Sequence, residues 1–233
     1  MCPIYYMGLS KKMSMKNLEI NKSISTHRNN MGGCNCMKED KTIHYYNSNA
    51  REFVLGTVSV DFEFTQKKFT DRLSKNAAIL DFGCGSGRDT KYFLSQGYRV
   101  DAVDGSAELC KLASEYTGIE VKHAFFNELV QVEQYDGIWA CSSILHLPVD
   151  ELKEVMRKMV IALKDNGIIY TSFKYGTFAG ERNGRYFTDM TEDTFAGFIK
   201  QIEHVTIEEQ WISLDARPER GDEKWLNLIL RKK

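Results

Sequence analysis

Three glycines on alternate positions, flanked by two acidic residues, form the part of this chain best suited to chemistry. Asp81 ends an apolar run and is followed by Gly83, Gly85 and Gly87, and the next apolar run ends at Asp104. Glycines in this pattern adopt backbone angles that other residues avoid and let a ligand approach the main chain. An acid at the end of the second strand can accept hydrogen bonds from both hydroxyls of a ribose. The pattern therefore predicts a site for a nucleoside-bearing cofactor.

The position of the third glycine distinguishes between kinds of nucleoside cofactor. A dinucleotide fingerprint has the form GxGxxG, whose third glycine would lie at position 88. Position 88 is instead Arg88, and the pattern reads GxGxG. This spacing favours a cofactor that lacks a pyrophosphate. The alternative is a Rossmann-like domain that binds NAD or binds nothing.

One histidine is placed where it could move a proton. His146 follows the fourth apolar run and precedes Pro148, which interrupts the chain ahead of a helix. A histidine beside a reacting group can act as a general base or orient a substrate. We predict His146 as the catalytic residue, and the alternative is a histidine that caps or fills its loop.

Arginines in two loops indicate a small anionic substrate. One cluster lies in the glycine-rich loop 181–185 and the other in 217–220. Guanidinium groups bind carboxylates and phosphates in a forked geometry. Acidic neighbours such as Asp215 could instead neutralise these arginines at the surface. The predicted substrate-binding residues are Tyr175, Arg182, Arg185 and Arg217.

Strands and helices alternate through most of the chain. Apolar runs predict seven strands, at 77–82, 98–103, 119–124, 135–141, 168–173, 205–214 and 225–231. Helical patterns separate them, and the last two strands are expected to form an antiparallel pair. The sequence therefore predicts an α/β fold, a doubly wound and mostly parallel seven-stranded sheet with ligands at the carboxyl ends of its strands. Residues 1–40 lack periodicity, which predicts a disordered segment ahead of one domain at 41–233.

The composition limits the partners of this 233-residue chain. Its net charge of −1 gives no strong field for a nucleic acid backbone or an anionic membrane. The closest cysteine pair, Cys34 and Cys36, lacks zinc-ligand spacing, so we predict reduced thiols and no metal. No apolar run predicts a signal peptide or a membrane span, and we expect a cytoplasmic protein.

The glycine turn, its acids and three later stretches together resemble the class I S-adenosylmethionine-dependent methyltransferases. The later stretches read YDGIWA from Tyr135, SILHL from Ser143 and LKDNGI from Leu163. The resemblance covers about residues 43–233, and within this family the chain is similar to small bacterial enzymes called tellurite-resistance-like or left without an assigned substrate. It implies a Rossmann-like methyltransferase fold, S-adenosylmethionine as cofactor and S-adenosylhomocysteine as product.

The resemblance also implies roles for individual residues. The glycine turn and Asp81 would hold the methionine portion, and Asp104 the ribose. The family often has an acid for the adenine after the third strand; here Phe126 stands in that region and would flank the ring. Tyr46 or Arg51 would reach the cofactor carboxylate from an N-terminal helix. The implied cofactor-binding residues are Asp81, Gly83, Cys84, Gly85, Gly87, Asp104, Gly105, Ser106, Phe126, Ala140, Tyr46 and Arg51.

The sequence therefore predicts methyl transfer from S-adenosylmethionine to a small molecule by in-line displacement. The partner is a small-molecule acceptor rather than a nucleic acid or a membrane, and the chain is expected to be a monomer or homodimer. Two alternatives remain, an RNA or protein methyltransferase and a non-catalytic S-adenosylmethionine-binding module. A local basic face or a docking extension would favour the first of these.

Overall fold

The computed structural model describes residues 40–233. The segment predicted to be disordered lies outside these residues, except for its last position. Among residues 40–233, no helix has the length and apolar character needed to cross a bilayer.

Within residues 40–233, nine strands form two sheets. They are β1 (Ala78–Phe82), β2 (Arg99–Asp104), β3 (Val121–His123), β4 (Tyr135–Ala140), β5 (Leu163–Lys174), β6 (Ala179–Arg182), β7 (Arg185–Thr188), β8 (Val205–Leu214) and β9 (Lys224–Lys232). The main sheet has seven strands in the order β3-β2-β1-β4-β5-β9-β8. Strands β1 to β5 run parallel, whereas β9 pairs antiparallel with both β5 and β8. The predicted seven-stranded sheet with an antiparallel C-terminal pair is confirmed.

Helices cover both faces of the main sheet. They are α1 (Lys41–Ser48), α2 (Ala50–Leu55), α3 (Glu63–Thr70), α4 (Arg88–Ser95), α5 (Ala107–Thr117), α6 (Val149–Ala162) and α7 (Glu192–Ile199). Side chains that bind the first turns fix where two of them begin: Asp40 Oδ1 accepts from Thr42 N at 2.9 Å, and Ser106 Oγ accepts from Leu109 N at 3.2 Å. Such caps satisfy amide groups that the helix itself leaves unpaired.

Apolar residues on alternate positions of the strands bury a core on each face. In β4, Ile138 packs in the core beneath α6 and α7, while Trp139 faces the other side. There Trp139 stacks on Tyr170 at a ring-centre distance of 4.0 Å and meets Phe69 of α3 at 5.2 Å. A parallel strand buried on both faces explains the continuous apolar runs seen in the sequence.

The loop predicted at 181–185 is instead the centre of a β-hairpin. Strands β6 and β7 pair antiparallel, with Arg182 opposite Arg185. The two residues between them, Asn183 and Gly184, have φ angles of 50° and 75°. Asn-Gly with both φ angles positive is typical of the tightest hairpin turns. The hairpin contacts α1, because Tyr186 N donates to Thr42 Oγ1 at 3.1 Å.

Candidate active site

A cavity of about 630 Å³ opens at the carboxyl edge of the parallel strands. One end of it is lined by six of the predicted cofactor residues, Gly83, Cys84, Gly85, Asp104, Gly105 and Phe126. The other end is lined by predicted residues from α1, the loop after β4, the hairpin and the β8–β9 loop, namely Tyr46, His146, Arg185 and Arg217. The structure therefore brings ten of the predicted site residues to one cavity.

Four predicted cofactor residues lie behind the residues that line the cavity and do not line it themselves. Asp81 Oδ2 accepts from Thr90 Oγ1 at 2.5 Å, which ties β1 to α4. Ser106 caps α5. Gly87 immediately precedes α4, and a Cβ added there would lie 2.8 Å from Thr117 of α5. Ala140 is fully buried in the core. These residues shape the turn and its helices without reaching the cavity surface.

Three other predicted residues lie away from the cavity. Arg51 is exposed on α2, and Tyr175 is 37% exposed after β5. Arg182 makes a two-bond ion pair with Asp189, at 2.9 and 2.6 Å. The structure does not place these three side chains with the rest of the site. Arg51 is on the outer face of its helix, and the Asp189 carboxylate holds Arg182.

The glycine turn needs its glycines. Gly83, Gly85 and Gly87 have φ angles of 87°, 55° and 78°. An added Cβ at Gly83 would lie 2.5 Å from Cβ of Ser143, and one at Gly85 would lie 3.0 Å from Cε1 of Phe53. Both the left-handed backbone and the close approach exclude larger residues. The turn consequently presents main-chain groups to the cavity.

Asp104 is a buried carboxylate that faces the cavity. Its oxygens accept from Gly85 N at 2.9 Å and from Ser106 N at 2.8 Å. Burial raises the pKa of Asp104, and the bonds from Ser106 and Gly85 oppose that rise. No cation among residues 40–233 forms an ion pair with it, so these two amides are its main compensation. A carboxylate has sites for about four hydrogen bonds, and those left over suit a pair of hydroxyl donors such as a ribose diol.

Arg88 lines the same end of the cavity, where the sequence analysis treated it only as a missing glycine. It is the first residue of α4, and its Nε and Nη2 donate to Asp89 at 2.8 and 2.9 Å. Asp89 also accepts from Gln66 at 2.6 Å and from Trp139 at 2.8 Å. Burial alone would raise the pKa of Asp89, but the Arg88 charge and these bonds lower it. The pair holds the Arg88 guanidinium in place and leaves Nη1 for another acceptor.

A tyrosine–histidine pair lies at the other end of the cavity. His146 Nδ1 is 2.6 Å from the Tyr186 carbonyl, to which it donates, and Nε2 is 2.9 Å from the Tyr46 hydroxyl. The Nδ1 bond assigns the tautomer, so Nε2 accepts the Tyr46 proton. Burial lowers the pKa of His146 to about 4, helped by the charges of Arg185 and Arg182. The imidazole is therefore neutral near pH 7, and both it and the Tyr46 hydroxyl to which it is bonded line the cavity.

The contribution of His146 to the stability of the fold is expected to fall as the pH drops from about 6.5 to 4, because the buried imidazole must then be protonated. Unfolded histidine has a pKa of about 6.5, whereas burial lowers that of His146 to about 4. Below pH 6.5 the unfolded state binds the proton first, so the loss by pH 4.5 amounts to about 2–3 kcal/mol. Urea unfolding of wild type and of His146→Gln at pH 7 and pH 4.5 measures this contribution.

The matched variants of this experiment are His146→Gln and His204→Gln. His204 has a side chain that is 73% exposed, and its replacement should leave the pH dependence unchanged. The free energy of unfolding should fall between pH 7 and pH 4.5 by about 2–3 kcal/mol less in His146→Gln than in wild type. An equal pH dependence in wild type and His146→Gln would contradict the buried neutral state of this histidine.

Cationic side chains dominate the wall opposite the glycine turn. Arg217 donates two bonds to Asp215, at 2.9 and 2.6 Å, and Trp225 Nε1 donates to the same carboxylate at 3.1 Å. Burial would raise the pKa of Asp215, but these bonds lower it to about 2. Lys174 lies 4.4 Å from the Trp225 ring centre and pairs with Glu223, and burial lowers its pKa to about 8.

The strand end that separates the two halves of the cavity is strained. Ser142 has a φ angle of 51°, in the left-handed region that non-glycine residues rarely adopt. Its amide donates to Ser172 Oγ at 2.9 Å, so β5 holds the backbone after β4 in this conformation. Both serines line the cavity. Strain retained at a ligand-facing position is typical of functional sites.

Part of this chain is similar to known methyltransferase sequences. Residues 79–167 match a family model described as a methyltransferase domain. The chain is 24% identical over 134 residues to an uncharacterized methyltransferase of Staphylococcus carnosus strain TM300, covering 54% of this chain and 65% of that protein. It is 38% identical over 117 residues to N-terminal Xaa-Pro-Lys N-methyltransferase 1 of Danio rerio, covering 46% and 52%. The matches thus span between about half and 65% of the length of these relatives.

Solved structures share the fold of this chain over a larger part of its length. The 1,6-didemethyltoxoflavin-N1-methyltransferase of Burkholderia thailandensis, with bound 1,6-didemethyltoxoflavin and S-adenosylhomocysteine, aligns with a TM-score of 0.67 at 24% identity, covering 82% of this chain and 85% of that chain. The fold is a methyltransferase fold. Magnesium protoporphyrin IX methyltransferase of Synechocystis PCC 6803, with bound S-adenosylhomocysteine, aligns at 0.62 and 16% identity, covering 82% and 97%. The Rossmann-like methyltransferase fold predicted from the sequence is confirmed, and the finer likeness to tellurite-resistance-like enzymes stays a prediction.

Proposed function

We propose that this chain transfers a methyl group from S-adenosylmethionine to a small-molecule acceptor. The observation that carries the proposal is the Asp104 carboxylate, buried beside the glycine turn and facing a cavity of about 630 Å³. It lies at the end of β2 of a methyltransferase fold, where a ribose diol would supply the two donors that its oxygens can still accept. The cytoplasmic location and the monomeric or homodimeric state remain predictions from the sequence.

The residues at this end of the cavity fit the other parts of the cofactor. Arg88 suits the carboxylate of the methionine portion, since its Nη1 is not used by Asp89. The main chain of the glycine turn lets that portion pass close to the sheet. Phe125 and Phe126 line the cavity beyond Asp104 and offer apolar surface to the adenine. We assign the cofactor carboxylate to Arg88 rather than to Arg51, because Arg51 is exposed on α2.

When bound, the cofactor supplies an electrophilic methyl group on a sulfonium. The chain must then align the acceptor, exclude water and take a proton where the nucleophile carries one. The Tyr46 hydroxyl would receive that proton as its own passes to His146 Nε2, which lies 2.9 Å from the hydroxyl oxygen. His146 can accept it because Nδ1 keeps its bond to the Tyr186 carbonyl. Tyr46 thus acts on the acceptor side instead of on the cofactor carboxylate.

A protein N-terminus is the second candidate acceptor. The Danio rerio relative, by its name, methylates N-terminal Xaa-Pro-Lys sequences, and it is 38% identical over the matched 117 residues. Against this candidate, the buried charges at the acceptor end of the cavity are mostly cationic. A lysine-containing N-terminus is itself cationic and would be repelled there.

Transfer of a labelled methyl group into a fractionated cell extract tests the proposal. The extract is separated into metabolites, proteins and RNA before incubation with the chain and methyl-labelled S-adenosylmethionine. We expect label in the metabolite fraction, at a level that Asp104→Asn abolishes. Label in protein alone or in RNA alone would show that the acceptor is a protein or an RNA instead of a small molecule. Label in no fraction would favour a non-catalytic binding module.

A further inference from the structure

We propose that the acceptor binds as an anion, with its negative group on the guanidinium of Arg185. The ligand class is a small organic oxyanion, a carboxylate or a phosphate. The proposal rests on the proposed methyltransferase function and specifies the charge of its substrate.

Arg185 is a partly buried cation whose charge is not compensated by the described part of the chain. It lines the cavity, and no carboxylate among residues 40–233 forms an ion pair with it. Its Nε is buried and makes no hydrogen bond there, and Nη1 donates only to the Tyr46 hydroxyl at 3.4 Å. Proteins pair buried charges as a rule, since a charge removed from water without a partner is costly. An anion in the cavity would supply the missing partner.

The surroundings of Arg185 hold its guanidinium rigidly without neutralising it. The guanidinium lies 4.3 Å from the Tyr45 ring centre and 5.2 Å from that of Phe187. Two tyrosines of α1, Tyr45 and Tyr46, contact it, and His146, which is bonded to Tyr46, is neutral near pH 7. Stacking between aromatic rings orients an arginine but leaves its net charge in place.

The wall across the cavity from Arg185 is also positively charged. Arg217, Lys174 and Arg220 line it, and the carboxylates near them are Asp215 and Glu223. Asp215 is already bonded to Arg217 and Trp225, and Glu223 pairs with Lys174. Among residues 40–233, an ammonium acceptor would therefore find no unused buried carboxylate at this end.

The remaining acids of the cavity lie elsewhere. Asp40, Glu151 and Glu154 line it but are exposed to solvent. Asp104 and Asp89 are at the cofactor end, where Asp89 is paired with Arg88. Exposed carboxylates are screened by water and salt, so they contribute little to recognition inside the cavity. The buried charges thus select for an anion.

Three probes of equal shape and different charge test this proposal: benzoate, benzamide and benzylamine. Each is titrated by calorimetry into wild type, Arg185→Gln and Arg99→Gln, with and without S-adenosylhomocysteine. Arg99 is exposed at the start of β2, on the opposite edge of the sheet, and serves as the matched control. We expect wild type and Arg99→Gln to bind benzoate at least tenfold more tightly than the other two probes. Arg185→Gln should lose about 10–100-fold of benzoate affinity and keep its S-adenosylhomocysteine affinity within about twofold.

The outcomes separate this inference from the proposed function. Equal binding of benzylamine and benzoate, no saturable binding of benzoate, or unchanged benzoate affinity in Arg185→Gln would each overturn the anion site. A parallel loss of S-adenosylhomocysteine affinity in Arg185→Gln would also overturn it, because Arg185 would then hold the cofactor. Failure of wild type to bind S-adenosylhomocysteine would instead refute the proposed function, while the probe titrations without cofactor still report on Arg185.

Discussion

Asp104→Asn is expected to weaken the binding of S-adenosylhomocysteine by about 30–1,000-fold, while the fold keeps its stability. The substitution removes the charge that strengthens two hydrogen bonds from the ribose, each contributing about 1.5–3 kcal/mol. It also removes a buried anion without a cation partner, which burial already disfavours. The amide group of Asn loses one of the two main-chain bonds that Asp104 accepts, and relief of the buried charge offsets that loss. The melting temperature should therefore change little as the affinity falls.

Asp101→Asn is the matched control for this prediction. Asp101 lies on the same strand, three residues earlier, and binds Tyr135 and Gln134 outside the cavity. Its replacement should leave S-adenosylhomocysteine binding within about twofold of wild type. Similar affinity in both variants, or a collapse of stability in Asp104→Asn, would show that Asp104 supports the fold rather than the ribose.

Tyr46→Phe is expected to lower kcat by about 100-fold or more for an acceptor that must lose a proton. The variant keeps the ring that packs on Phe53 and His146 but breaks the path from the cavity to His146 Nε2. His146→Gln should have a similar effect, and the two changes together should not be additive, since the residues act as one unit. The assay uses the acceptor that the labelled-transfer experiment identifies.

Tyr45→Phe provides the control for Tyr46→Phe. Tyr45 is its neighbour on α1, and its ring lies against Arg185 without a bond from its hydroxyl to His146. We expect kcat to stay within about threefold in Tyr45→Phe. A loss of S-adenosylhomocysteine affinity in Tyr46→Phe with unchanged kcat would return Tyr46 to the cofactor role that the sequence suggested.

The sheet and the glycine turn could be predicted because their signals are local. Apolar runs that end in Asp81 and Asp104 specify buried parallel strands, and the glycine spacing specifies a turn that no other residue allows. The hairpin at 179–188 also had a local signal, the pair Asn183-Gly184. It was missed because the arginines on either side of the turn were interpreted only as ligands of an anion.

The partners of charged residues could not be predicted in the same way. Arg182 and Arg185 lie three residues apart, yet Arg182 is bound by Asp189 and Arg185 faces the cavity without a carboxylate. That difference depends on strand pairing, which places Asp189 beside one arginine and Tyr46 beside the other. Arg88 was overlooked because its role follows from the start of α4 at the cavity, and Asp89 holds it there.

The contact between Tyr46 and His146 also could not be predicted from the sequence, because the two residues are far apart along the chain. The two residues are 100 positions apart, and only the packing of α1 over the loop after β4 brings them to 2.9 Å. Sequence position suggested a histidine near the reacting group, but the tautomer and the low pKa depend on the Tyr186 carbonyl of the hairpin.

Calorimetric titration of the wild-type chain with S-adenosylhomocysteine, alongside NAD, tests the central claim most directly. The account predicts saturable binding of one S-adenosylhomocysteine per chain and no binding of NAD, since the turn lacks the third glycine of a dinucleotide site. Binding of NAD in its place, or no binding of S-adenosylhomocysteine, would contradict it.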